Sequence, residues 1–164
     1  MPENMVFKQV IGVGLNEAEL SKNLQLVSLS TSPPFKVRDL NKNPSLEFLP
    51  DSSFDYVLNV VSVDYLIQPK KVFSEIFRVL KPGGLAINSF SNRCFPTKAV
   101  DLWLRNIDRP DNLCKIVASY FSSSRFTMIQ AFDLSPNHGY SDPLYIVQAR
   151  KPLLTIANNN DANL

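Results

Sequence analysis

FDYVLNVVSVDYLIQPKKVFSEIFRVLKPGGLAINSF, residues 54–90, is the stretch whose reading decides the fold. Residues 57–63 form an apolar run broken only by Asn59 and Ser62, and the run is rich in β-branched side chains. So short a run, without one-sided alternation, predicts a strand covered on both faces. Pro69 predicts a helix start, because proline is tolerated in the first turn. Val72, Phe73, Ile76, Val79 and Leu80 recur at spacings of three and four and so share one face, leaving Lys70, Lys71, Glu75, Arg78 and Lys81 largely on the other. Lys81-Pro82-Gly83-Gly84 predicts the stop. Arg78 and Lys81 suit the negative end of the helix, proline cannot continue it, and a glycine accepts positive φ. Residues 85–90 read as a second buried strand. Strand, helix and strand with short links predict a parallel βαβ unit with a right-handed crossover.

Towards the N-terminus, residues 7–13 read as a strand and 17–22 as a short helix, with Asn16 as its N-cap and Glu17 and Glu19 at its positive end. Residues 25–35 are rich in Ser, Thr and Pro and read as an irregular connection. Residues 35–40 read as a strand ending at Asp39, and 42–53 as a loop. Towards the C-terminus, Thr97 is the expected cap of a helix over 99–104. A second helix follows over 112–121, with Leu113, Ile116, Val117 and Tyr120 on one face. Residues 125–132 and 144–149 predict an antiparallel pair at the sheet edge. The expected fold is α/β, a Rossmann-like, mainly parallel sheet with helices on both faces and an antiparallel edge strand, occupying residues 1–150. Residues 151–164 turn polar and are expected to be a disordered tail.

The chain has 164 residues, 45% hydrophobic and 20% charged, which suits one globular domain with a real core. A net charge of +2 gives no reason to expect a nucleic-acid or anionic-membrane partner. No apolar run approaches the roughly 18 residues of a membrane span, and no targeting signal is visible. Cys94 and Cys114 are too few for a zinc site or a disulfide framework and predict free thiols in a reducing soluble compartment, cytoplasmic or other. The single histidine, His138, excludes a His-rich metal centre and reads as a solvated loop residue or an acid–base group.

LPDSSFDYVL (residues 49–58), EIFRVLKPGG (75–84), LAINSF (85–90) and the acidic residue in VRDLN, Asp39, resemble class I S-adenosylmethionine-dependent methyltransferases of the type 11 kind. GLNEAEL (14–20), DLNKNP (39–44) and SFSNRCFPTKAV (89–100) resemble a small uncharacterised subgroup of that family. The resemblance covers residues 5–150 and implies methyl transfer from S-adenosylmethionine to a small-molecule acceptor. It also carries a departure. Family members have a glycine-rich loop after their first strand, whereas FKQVIGVGLN is more similar to their second strand. The first strand and its loop are therefore expected to be missing, as in a truncated product. The alternative register makes Gly12-Val13-Gly14-Leu15-Asn16 a degenerate loop. A truncated chain is expected to bind cofactor weakly and to act, if not as an enzyme, through protein contacts, including self-association through exposed sheet edges. A nicotinamide-dinucleotide reading of Gly12-Val13-Gly14 lacks its third glycine.

Since ligands of open α/β sheets bind beyond the carboxyl ends of the strands, the site candidates follow each strand. The resemblance implies that Asp39, with Leu40, holds the adenine amino group; otherwise Asp39 caps Asn41 or the next turn. Gly14 stands where many relatives carry the carboxylate that grips the ribose. Glu17 either reaches those hydroxyls or serves the helix macrodipole. Val61 and Ser62 are expected in the cofactor pocket wall. Asp64 and Tyr65 are acceptor-side candidates, Asp64 as base, anchor or solvated loop carboxylate. Asn92 and Arg93 either bind acceptor, Arg93 through its fork of donors, or order their loop.

Overall fold

The computed structural model describes residues 6–27, 33–137 and 140–153, and the chain forms two compact units, Met1–Pro44 and Ser45–Leu164. His138 and residues 154–164 of the expected tail lie outside the described residues.

In the first unit, β1 (Gly12–Gly14) pairs in parallel with β2 (Phe35–Val37), and α1 (Glu17–Lys22) connects them through an irregular segment. Asn16 caps α1 as expected: its Oδ1 accepts from the amides of Ala18 at 3.0 Å and Glu19 at 3.3 Å. Both strands are shorter than expected. Val10 makes only an isolated antiparallel bridge to Val27, and β2 ends at Val37 because the chain turns at Asp39. Gly12 and Gly14 are the first and last residues of β1, with Gly14 at its carboxyl end. A side chain at Gly12 would press on Leu26 Cδ1 at 2.8 Å and on Leu20 Cδ2 of α1 at 3.0 Å, so this glycine admits close packing of α1 and the segment after it on β1.

In the second unit, four strands follow the order β3-β4-β6-β5, with β3 (Phe54–Val60), β4 (Leu80–Phe90), β5 (Thr127–Asp133) and β6 (Tyr145–Arg150). β3 and β4 are parallel, pairing Leu58 with Ile87 and Val60 with Ser89, while β4–β6 and β6–β5 are antiparallel. The expected βαβ unit is thus present, with α2 (Pro69–Val79) as its crossover. Val72, Phe73, Ile76, Val79 and Leu80 are all buried, which confirms the face read from their spacing. Phe73 meets Tyr120 and Phe121 of α4 (Pro110–Ser123) edge-to-face, with ring centroids 5.5 and 4.8 Å apart. Leu80, Gly84, Ala86, Asn88, Phe90, Val147 and Ala149 are the buried sheet residues, and Leu113, Val117, Tyr120 and Phe121 the buried residues of α4.

Four local expectations are corrected. β3 runs over Phe54–Val60 rather than 57–63, because the backbone leaves the sheet at Val61 with φ +45° and then forms a 3₁₀ turn, η1 (Val63–Tyr65). Nor is β3 covered on both faces: Tyr56, Leu58 and Val60 are 44%, 57% and 60% exposed, because α2 and α4 pack on the other face of the sheet. Lys81-Pro82-Gly83-Gly84 is no loop. β4 begins directly at Leu80, and the extra residues are absorbed as an irregular register between Phe54 and Tyr56 of β3. Gly83 there takes φ +79°, and a side chain at Gly84 would lie 2.8 Å from Lys81 O, so both glycines are required. Thr97 caps nothing. The helix α3 is only Asp101–Leu104, preceded by Val100, whose amide donates to Asp64 O at 2.9 Å.

The charges flanking α2 also have other duties than those expected. The Arg78 guanidinium donates to Leu49 O at 2.9 Å and Leu46 O at 2.8 Å and grips Glu75 and Asp51, which ties residues 46–51 to the helix. Lys81 pairs with Asp55 at 2.8 Å. The last carbonyls of α2 are met instead by the Ser52 amide, 3.0 Å from Arg78 O, and the Ser53 amide, 2.8 Å from Val79 O, while Lys151 Nζ lies 2.7 Å from the O of the C-cap Leu80 and 3.4 Å from Arg78 O. Lys151, expected at the start of the tail, is therefore part of the fold.

Two outcomes are expected. Phe73→Ala should cost about 3–5 kcal/mol in urea unfolding, since a fully buried aromatic leaves a cavity. The Arg78 guanidinium, with the Leu46 amide, holds the Glu75 carboxyl below its usual range. A depressed folded pKa contributes stability that is present above the unfolded value, 4.5, and is lost as pH falls through the folded one. Wild type should lose urea-midpoint stability progressively below about pH 4.5, and Glu75→Gln should flatten that part of the profile.

Candidate active site

Parallel pairing delivers the carboxyl ends of β3 and β4 to one edge of the second unit, the end where such sheets bind ligands. Two loops leave there. The first runs from Val61 through η1 to α2, and the second from Ser91 to α3. They are stitched together twice: the Val100 amide donates to Asp64 O at 2.9 Å, and the Phe95 amide donates to the Tyr65 hydroxyl at 3.0 Å. The Phe95 ring also lies 6.5 Å from that of Tyr65. The sequence-predicted pair Asp64 and Tyr65 is thus brought against the loop that carries Asn92, Arg93 and Cys94.

Asp64 is the unusual member. It is 2% exposed, and neither carboxylate oxygen is in hydrogen-bonding geometry with a donor among the described residues. Burial pushes its carboxyl up from the usual range, opposed in part by its own backbone amide and the Tyr65 hydroxyl. This is not the solvated loop carboxylate of the bland reading. Burial also raises Tyr65 and Cys94, and for Cys94 the Asp64 charge adds to the effect, so this thiol is no nucleophile at neutral pH. Among the described residues, Asn92 Oδ1, both side-chain polar atoms of Asn88 on β4, Trp103 Nε1 on α3 and Ser124 Oγ after α4 are likewise buried without partners. Sequence reasoning missed Asn88. The signal available was an asparagine within the mostly apolar strand LAINSF.

The remaining candidates in this unit are engaged more conventionally. Ser62 Oγ donates to Asn59 Oδ1. Val61 is half-exposed and holds its positive φ through an amide bond to Ser89 O at 2.9 Å, which is backbone strain for a β-branched residue at the mouth of the strand. Arg93 is exposed and pairs through Nε with Asp142 at 2.7 Å. A separate cavity of about 240 Å³, lined by Asp55, Tyr56, Lys81 and Arg150, lies at the amino ends of β3 and β4, away from these groups.

In the first unit, Asp39 Oδ1 accepts from the Asn41 amide at 3.0 Å and the Lys42 amide at 3.4 Å, while Oδ2 lies 3.9 Å from Lys42 Nζ. The carboxylate caps its own turn and keeps acceptor capacity on Oδ2. Leu40 is half-buried beside it. Glu17 is exposed in the first turn of α1. A side chain on Gly14 would meet Leu20 at 3.6 Å, ordinary contact, so the position has room for one. Among the described residues no group of histidine, cysteine and carboxylate side chains is placed to hold a metal ion. No helix among the described residues is long and apolar enough to cross a membrane.

If Asp64 is an uncompensated buried carboxyl, Asp64→Asn should stabilise the fold at pH 7–8. A raised folded pKa contributes stability below the unfolded value, 3.8, that is lost as pH rises. The variant should gain on the order of 1 kcal/mol in urea unfolding at neutral pH and lose that advantage towards pH 4.

A family model for a methyltransferase domain matches residues 2–88. The sterol 24-C-methyltransferase of Gibberella zeae is 32% identical over 96 residues, covering 52% of this chain and 25% of that protein. The chain thus spans about a quarter of the length of this curated relative. Among solved structures, an S-adenosylmethionine-dependent methyltransferase from Mesorhizobium loti superposes with a TM-score of 0.60 at 18% identity, over 88% of this chain and 81% of that one. Phosphoethanolamine N-methyltransferase 2 of Haemonchus contortus, solved with phosphomonomethylethanolamine and S-adenosylhomocysteine, gives 0.56 at 17% identity, over 88% and 44%. At these identities the structural likeness establishes the fold.

Proposed function

The chain belongs to the class I S-adenosylmethionine-dependent methyltransferases, and from that premise we propose that its second unit forms the acceptor side of a methyl-transfer site for a small molecule bearing an N–H or O–H group. The observation that carries this reading is Asp64, a buried carboxyl with no donor in hydrogen-bonding geometry among the described residues, at the carboxyl ends of two parallel strands. A fold retains such a costly group where something else supplies the missing donor. An acceptor amine or hydroxyl supplies it, and the raised Asp64 pKa suits a group that takes up the proton the acceptor gives off. Asn88 and Asn92 offer further polar contacts at the same strand ends. Arg93, already paired with Asp142, orders its loop rather than gripping a ligand.

The cofactor supplies an electrophilic methyl group on sulfur. The described residues fit it only in part. In the first unit, Asp39 Oδ2 retains the capacity to accept from an adenine amine, and in the second, Val61 and Ser62 stand at the carboxyl end of β3. Gly14 has no carboxylate for the ribose. No described glycine lies in a turn after a parallel strand, since Gly12 and Gly14 lie within β1 and Gly83 and Gly84 within β4. Glu17 is proposed to serve the α1 dipole. This chain alone is therefore proposed to bind cofactor weakly and to turn over slowly.

Calorimetry with S-adenosylhomocysteine tests this. We expect a dissociation constant weaker than roughly 100 μM, about −5.5 kcal/mol, and micromolar binding would overturn the reading of a sparse cofactor side. Gly14→Asp, for which there is space, should tighten binding by about tenfold or more, the worth of a charge-assisted hydrogen bond. A second reading, a non-catalytic module acting through protein contacts, draws on the exposed apolar edge of β3. A complete lack of cofactor binding in both wild type and Gly14→Asp would favour it.

A further inference from the structure

We propose that residues 91–100 form a lid over Asp64, pinned at both ends and latched by the Tyr65 hydroxyl, and that the lid lifts to admit the acceptor. The proposal rests on the acceptor reading for what enters, while the motion itself is tested without cofactor or acceptor.

Asp64 is 2% exposed, so an N–H or O–H group arriving from solvent meets its carboxyl only after something covering it moves. Its chain neighbours are not free to do so. Val63 and Leu66 are themselves buried, and shifting them would disrupt a close-packed interior. Residues 91–100 are different. They lie against Asp64: the Val100 amide donates to its carbonyl at 2.9 Å, the Asp64 charge helps to raise the Cys94 thiol, and Phe95 packs on the adjacent Tyr65. Yet no residue of this stretch belongs to the buried core.

The ends of the stretch are fixed. Phe90 and Trp103 are each 1% exposed and meet edge-to-face, with ring centroids 5.2 Å apart. A loop whose ends are held together by a core contact can move as a flap without unfolding the sheet or α4. The flap is also braced internally. The Lys98 and Ala99 amides both donate to Phe95 O, at 2.9 and 3.0 Å, and the Lys98 ammonium lies 5.3 Å from the centre of the Phe95 ring. The latch acts on that same residue: the Phe95 amide donates to the hydroxyl of Tyr65, which follows Asp64 in η1, at 3.0 Å. One neutral hydrogen bond favours a closed state by about three- to tenfold, a bias that a bound acceptor can overcome. The Arg93–Asp142 pair also reaches the flap, but both partners are exposed and it contributes less. Closed again, the flap keeps bulk water from the Asp64 carboxyl.

Alkylation of the full chain by N-ethylmaleimide, followed by mass spectrometry of each cysteine's peptide, reads the motion. Cys94 rides on the flap, and Cys114 on α4 reports opening of the fold as a whole. Tyr65→Phe keeps the ring and removes the latch. It should raise the ratio of the Cys94 to the Cys114 rate by about three- to tenfold. Without any variant, protection from amide exchange in wild type should be lower at Phe95, whose bond spans the latch, than at Lys98 and Ala99, whose bonds travel with the flap. An unchanged ratio in Tyr65→Phe, or equal protection at the three amides, would each overturn the lid. Neither readout depends on S-adenosylhomocysteine binding, so a failure of the lid and a failure of the methyl-transfer reading are told apart.

Discussion

The buried face of α2 is the constraint from which the rest of the second unit follows. Val72, Phe73, Ile76 and Val79 are at most 5% exposed, and Phe73 alone engages two rings of α4. A helix seated this way between two strands obliges them to run parallel and brings their carboxyl ends to the same edge. The flank of the helix does separate work. Arg78 satisfies two carbonyls of the loop before β3, and Lys151, arriving after β6, satisfies the carbonyls at the helix end. Both ends of this unit are therefore fastened to one helix, and the loops at the far edge are left to serve a ligand.

At that edge stability and chemistry oppose each other. An apolar residue at position 64 would fill its site without a desolvation cost, whereas a carboxylate with both oxygens unpartnered carries a penalty of the kind that clusters at functional sites. Nearby features have the same character: Val61 is held at positive φ, and Asn88 sits in a strand whose neighbours Ala86 and Phe90 are buried and apolar. The two stitches from Val100 and Phe95 hold these groups in place without neutralising them, because they use the backbone carbonyl of Asp64 and the hydroxyl of Tyr65.

The elements that the sequence reading placed well are those specified by local chemistry. Proline at the start of α2, the three-and-four spacing of its apolar face and the Asn16 cap each depend on residues within one or two turns. What it placed poorly depends on distant partners. Thr97 has the chemistry of a cap, yet the turn at 95–99 is closed by backbone bonds to Phe95 O, and the helix waits until Asp101. Arg78 and Lys81 have the right sign for a helix C-terminus, but Glu75, Asp51 and Asp55 claim them first. The candidate site was legible as a list, since Asp64, Tyr65 and Asn92 were named from their place after the strands. Which of them lacks a partner was not, because that is a property of surroundings built from three separate elements.

The misreading of β3 is the most instructive. An apolar run without alternation states that both sides of a strand require cover; it does not state what provides it. In the second unit α2 and α4 form one helical layer, and the sheet residues buried with them are Leu80, Gly84, Ala86, Asn88, Phe90, Val147 and Ala149. By register, Tyr56, Leu58 and Val60 pair with Leu85, Ile87 and Ser89, the alternate residues of β4, which places them on the opposite face. Their β-branched and aromatic character is thus unspent within the described residues. The same pattern that made residues 57–63 look like a central strand is therefore still valid as a requirement, and what the structure corrects is only the assumption that the chain's own strands meet it.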